Sequence, residues 1–210
     1  MEIQYFGGNC VRLSTRKATV VVDDNLANLG QKSVTKAGDI ALVTNSILKV
    51  ADKDVKIMID MPGEYEVSHV SVQGIAARAH MDEDDKAKTA TIFKIMAEDV
   101  KVAVLGHVYP ELNDDQLEAL GSVDVLLVPV GGNGYTLDSV GALKLIKKIE
   151  PKIVIPTHYA DKALKYEVPQ QELSEALKGL SMELKETVPK LKLKPGELVE
   201  TTQLIVLERQ

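Results

Sequence analysis

Two short apolar runs, residues 125–130 and 153–155, flank a segment of helical periodicity and constrain the fold more than any other part of the chain. The stretch reads D-V-L-L-V-P-V-G-G-N-G-Y, then an amphipathic segment, then P-K-I-V-I-P-T-H-Y. Runs rich in β-branched residues without polar alternation are the pattern of buried strands. Between them Val140, Leu143, Leu145 and Ile146 recur at helical spacing, with Lys144, Lys147 and Lys148 on the other side. The unit is predicted as strand, glycine loop, helix, strand. His158 follows the second strand, where a side chain leaves the sheet and can meet a ligand.

The rest of the chain continues this mixed pattern. Ile3, Tyr5 and residues 11–13 read as a strand interrupted by the turn signal Gly7-Gly8-Asn9. Further strands are expected over residues 18–22, 40–43, 55–59, 90–96, 100–105 and 204–207, with another beginning at Val70 and running towards His80. Asn113 followed by Gln116 has the form of a capping box opening a helix over 114–120, which Gly121 would end. A last helix is predicted over 169–180, with Pro169 near its start and Gly179 near its end. Pro62-Gly63-Glu64-Tyr65-Glu66 reads as a turn whose carboxylates are solvated, with general-base duty for Glu64 or Glu66 as the lesser reading.

Composition narrows the function classes. In 210 residues, 25 basic and 31 acidic side chains give a net charge of −6. No basic cluster offers an electrostatic footprint for nucleic acid. Cys10 stands alone, so no internal disulfide can form, and it is expected as a small buried hydrophobe. No apolar run approaches the roughly 20 residues needed to span a membrane. Glu2 and Gln4 do not open a secretion leader. A cytoplasmic protein forming a single domain over 1–210 is expected.

The motif V-D-V-L-L-V-P-V-G-G, with I-E-P-K-I-V-I-P-T-H-Y after it, resembles the second half of the metallo-β-lactamase superfamily. The likeness is nearest to its branch of metal-dependent hydrolases related to ascorbate-6-phosphate lactonase. Y-F-G-G-N-C, V-V-V-D-D, P-G-E-Y-E and L-G-H fall in matching order. The resemblance implies an α/β fold, an αββα sandwich of metallo-β-lactamase type. It also implies that Asp23 lies beside the site as a supporting residue, where its own setting after a strand equally allows a solvated turn carboxylate, that His158 takes the final ligand position, and that His107 stands where the family has a bridging aspartate.

One motif departs. The superfamily's His-x-His-x-Asp-His loop follows a strand such as 40–43 and supplies most of its metal ligands. Here the aligned stretch is T-N-S-I-L-K-V-A-D, so Asn45, Ile47, Lys49 and Val50 occupy the four ligand positions. A catalytic zinc needs about three protein ligands besides water. Isoleucine and valine have no donor atom, and a lysine ammonium repels a cation. If these residues fill the old pocket, Ile47 and Val50 should be buried and Lys49 should reach solvent.

Two functional readings stay open. In one, the chain is a degenerate, non-catalytic binding or scaffold protein with no resident cofactor, whose partner is an unknown small molecule or protein and which forms a homo-oligomer. In the other, His80, His107 and His158, each following a strand, gather around one Zn, Mn or Fe ion and support hydrolysis of a lactone or phosphorylated sugar. His69 is read as a surface or core residue. Gly131-Gly132-Asn133-Gly134 is expected as a flexible connection, being neither a P-loop nor a dinucleotide fingerprint. Ser46, Thr44 and Cys10 lack the setting of a catalytic nucleophile.

Overall fold

A computed structural model describes residues 1–48, 54–84 and 86–210. Two sheets face each other. The first holds β1 (Glu2–Gly7), β2 (Cys10–Ser14), β3 (Thr19–Val22), β4 (Ile40–Leu42), β5 (Ile57–Ile59) and β13 (Leu191–Lys192). The second holds β6 (Gly63–Val67), β7 (Val70–Ala77), β8 (Ala90–Ala97), β9 (Val100–Val104), β10 (Val125–Pro129), β11 (Ile153–Thr157), β12 (Leu184–Val188) and β14 (Gln203–Leu207). Their spatial orders are β13-β1-β2-β3-β4-β5 and β12-β14-β11-β10-β9-β8-β7-β6. Among the described residues the α-helices α1 (Asp114–Leu120), α2 (Ser139–Ile149) and α3 (Leu173–Leu180) complete the α/β sandwich.

The central strands are where the apolar runs placed them. β10 lies parallel between β9 and β11, and all five of its residues are buried. β1 instead alternates half-buried and buried residues, the pattern of a strand with one face on the core. Alternation also divides β3: Val20 and Val22 join the core between the sheets, whereas Val21 points the other way. There it packs with Cys10, Leu26, Leu29 and Leu164 in a second cluster, which is where the lone cysteine is buried. The main core draws side chains from Ile3 to Leu207 and from both sheets.

Local signals set the helix ends in two cases. Asn113 Oδ1 accepts from Gln116 N, and Gln116 Oε1 accepts from Asn113 N, so the expected capping box opens α1. Asp138 Oδ1 caps α2 by accepting from Gly141 N at 2.7 Å.

α3 departs from expectation, beginning at Leu173 rather than near Pro169. The preceding residues make long-range bonds instead: Gln171 N donates to Gly131 O, and Ala160 N donates to Gln171 O. Nor does Gly179 stop the helix. It lies inside α3, where a Cβ would meet Ser139 Oγ at 2.0 Å, so glycine permits the close approach of α2. The P-G-E-Y-E turn is also a strand, β6, paired antiparallel with β7 and carrying exposed Glu64 and Glu66. Ser68 and His69 form the tight turn between these strands, both at positive φ, and His69 is exposed.

Candidate functional site

The ends of β3, β4, β9 and β11 meet on one edge of the sandwich. Asp23 follows β3 in the left-handed region, with φ of 48°. Its Oδ1 accepts from Thr44 N at 2.7 Å, while Oδ2 accepts from Thr44 Oγ1 and Asn9 Nδ2, both at 2.6 Å. Asn9 Oδ1 in turn accepts from Thr157 Oγ1 at 2.7 Å, linking the two sheets through buried polar groups. Complete burial lifts the Asp23 carboxyl to about 6, against the three donated hydrogen bonds that favour its anion.

Gly106 makes this junction possible. A Cβ at that position would come within 2.4 Å of Thr44 Oγ1, and the residue has a φ of 62°. His107 follows and is 2% exposed. Neither of its ring nitrogens has a hydrogen-bond partner. It contacts the His158 ring edge-on at 4.5 Å between centroids and the Tyr135 ring at 5.0 Å. Burial, then the neighbouring His158 and His80, hold its pKa well below the ordinary value, so it is neutral.

His158 is the most constrained residue here. It sits at φ 52°, and its N–H donates to Gly8 O at 2.7 Å. Nδ1 lies 3.1 Å from Gln170 Oε1. Because Gln170 Nε2 donates to Val168 O, its oxygen faces the ring. Nδ1 therefore carries the proton and Nε2 the lone pair. Burial lowers the His158 pKa to about 4, partly opposed by the Gln170 bond.

Sequence reasoning passed over Gln170, yet Gly131 is shaped around it. A Cβ on Gly131 would stand 2.1 Å from Gln170 Oε1 and 2.2 Å from the His158 carbonyl. The glycine loop is not the flexible connection expected: Gly131 O accepts from Gln171 N, and Asn133 Nδ2 donates to Pro169 O.

A cleft of about 310 Å³ opens over His158. Tyr135 and Tyr166 flank the imidazole, at 5.8 and 5.2 Å between ring centroids. Tyr166 Oη accepts from Gly8 N and donates to Tyr159 O, which fixes that ring. The two tyrosines have no sequence signature of a site; only their meeting with His158 reveals one.

The other expected residues lie as follows. Asn45 is buried, and its Oδ1 accepts from Ile47 N at 3.1 Å, closing a turn into the short 3₁₀ segment Ser46–Leu48. Ile47 is 56% exposed at the wall of the cleft, against the expectation that it fills the old pocket. The turn held by Asn45 directs it outward, and Leu48 takes the buried position instead. Lys49 and Val50 lie outside the described residues.

His80 is half-buried, its Nδ1 has no partner, and its ring faces Tyr109 at 6.3 Å between centroids. The rings in direct contact are thus those of His107 and His158. Among the described residues, no group of three or more His, Cys, Asp and Glu side chains is arranged to hold a metal ion. Nor is any described helix long and apolar enough to cross a membrane.

Known proteins with similar sequence or structure share this frame. A UPF0173 metal-dependent hydrolase of Carboxydothermus hydrogenoformans is 49% identical over 43 residues, 20% of this chain and 19% of that protein. One of Archaeoglobus fulgidus is 27% identical over 154 residues, covering 70% and 64%. The matched part is therefore less than two thirds of either relative's length. A solved structure from the metallo-β-lactamase superfamily, from Thermotoga maritima, superposes with a TM-score of 0.75 at 26% identity and covers 99% of each chain. The model of the family described as β-lactamase superfamily domain matches residues 2–158, ending at the histidine that closes the cleft, and the chain belongs to that family.

Proposed function

We propose that this is a metallo-β-lactamase-fold protein whose cation-holding loop has lost its ligands, and that it binds a small molecule over His158 without a resident metal. One observation carries the reading: apart from His107 and His80, the donors at the old site are already bonded within the chain. Asp23 accepts from Thr44 and Asn9, Asn45 Oδ1 from Ile47 N, and His158 Nδ1 is matched to Gln170. What is left is His107, the free Nε2 of His158 and the half-buried His80, and among the described residues no three such side chains are arranged as the roughly three protein ligands of a catalytic zinc. The described residues thus do not fit the family's metal centre, and no catalytic step is derived through one. Residues 1–210 are read as one domain, and the reduced Cys10 suits the cytoplasm.

A second reading is favoured by His107, whose two ring nitrogens lack partners beside His158. It keeps a hydrolase with one ion at His80, His107 and His158, in line with the names of the relatives. Elemental analysis of untagged protein from cells supplied with zinc, manganese and iron separates the two. Trace metal in folded protein is the expected result. Near-stoichiometric metal that disappears in His158→Ala would overturn the metal-free reading in favour of the second.

A further inference from the structure

We infer that the cleft over His158 takes a small organic cation, an ammonium or quaternary ammonium head group. The inference rests on reading this cleft as a binding site and adds the class of its ligand. The walls supply the first argument. Tyr135, His158 and Tyr166 form a run of three rings, adjacent centroids 5.8 and 5.2 Å apart, with planes inclined at 38° and 45°. All three rings line the one cleft, and an aromatic lining attracts a cation that comes over a ring face through the ring quadrupole.

Charge supplies the second. Among the described residues lining the cleft, Glu167 is the one charged side chain, and no Lys or Arg is present. It lines the same cleft as Tyr135 and Tyr166. Among the described lining residues an anionic sugar phosphate finds no counter-charge.

The remaining lining suits the rest of such a molecule. His158 Nε2 offers an acceptor, Asn25 and Asn28 offer amides, and Leu29 offers apolar surface. A volume of about 310 Å³ lies at the small end of ligand sites and admits a head group with a short tail.

The test is calorimetric titration of the full chain with choline chloride, with its neutral carbon analogue bearing a tert-butyl group, and with glycerol phosphate. Choline should bind saturably, at least about fivefold tighter than the carbon analogue, the margin a single cation–π contact provides. Glu167→Gln, at an exposed position, should weaken choline and leave the neutral analogue unchanged, while Tyr135→Leu should weaken choline further. Equal affinity for choline and its analogue, or preference for glycerol phosphate, would overturn the cation assignment while leaving a small-molecule site standing. Failure of all three probes to bind folded protein would overturn it too. The metal content measured separately decides the reading on which it rests.

Discussion

Gln170 Oε1 stands 3.1 Å from His158 Nδ1 and is held there by the bond from Gln170 Nε2 to Val168 O. This contact sets the tautomer of the one histidine that lines the cleft. Replacing the amide by a carboxylate, Gln170→Glu, places a negative charge beside Nδ1 and favours the imidazolium. The His158 pKa, now about 4, should rise by about one unit or more. A proton NMR titration of the imidazole resonances reads the change directly.

Gly131 has a tighter constraint. A Cβ would meet Gln170 Oε1 and the His158 carbonyl at 2.1 and 2.2 Å, and the carbonyl belongs to backbone anchored by the His158 N–H bond to Gly8 O. Gly131→Ala should therefore expel Gln170 from His158 and destabilise the fold by about 1–3 kcal/mol, the usual cost of overpacking. Urea unfolding measures the loss, and the His158 resonances should shift in the same variant.

His107 carries an opposite expectation. Its two buried ring nitrogens have no partner, so their desolvation is uncompensated. His107→Phe keeps a ring against Tyr135 and His158 while removing both polar atoms. Stability should rise by about 1 kcal/mol, read as a higher unfolding midpoint. A fall would mean that the nitrogens meet a partner in solution.

Acid should weaken the fold, and the sign follows from opposed groups. Asp23, raised from 3.8 to about 6, contributes stability that is complete below its unfolded value and lost as pH rises through 6. His158, lowered from 6.5 to about 4, contributes stability present above 6.5 and lost as pH falls through 4. His107 and His80 are also lowered and act with His158. Between pH 6 and 4 the histidines outweigh the carboxylate, so stability should drop on acidification. Asp23→Asn should steepen the drop by up to about 1.4 kcal/mol per pH unit, and His158→Gln should flatten it. Urea midpoints at several pH values test both.

Much of the fold was legible because the signals are local. The unbroken apolar runs of β10 and β11 mark strands buried on both faces, and the Asn113–Gln116 exchange marks the start of α1. Where a residue serves a distant neighbour, the local signal misleads. Gly179 has the appearance of a helix stop, but its missing side chain makes room for Ser139 of α2. Pro169 and Gln170 resemble the opening of a helix, but their carbonyl and side chain bond to Asn133 and His158, and α3 starts later.

The same division runs through the candidate site. By itself the sequence determined that His158 ends a central strand and that Asp23 ends another, since each follows from neighbours in the chain. The tertiary structure decided that Tyr135, Tyr166, Glu167 and Gln170 gather around His158, that Asn45 closes a turn and sends Ile47 to the cleft wall, and that Asp23 fastens Thr44 to Asn9. Contacts between loops that follow different strands depend on how the sheets stack, and no period or spacing within a single loop encodes which side chains will meet.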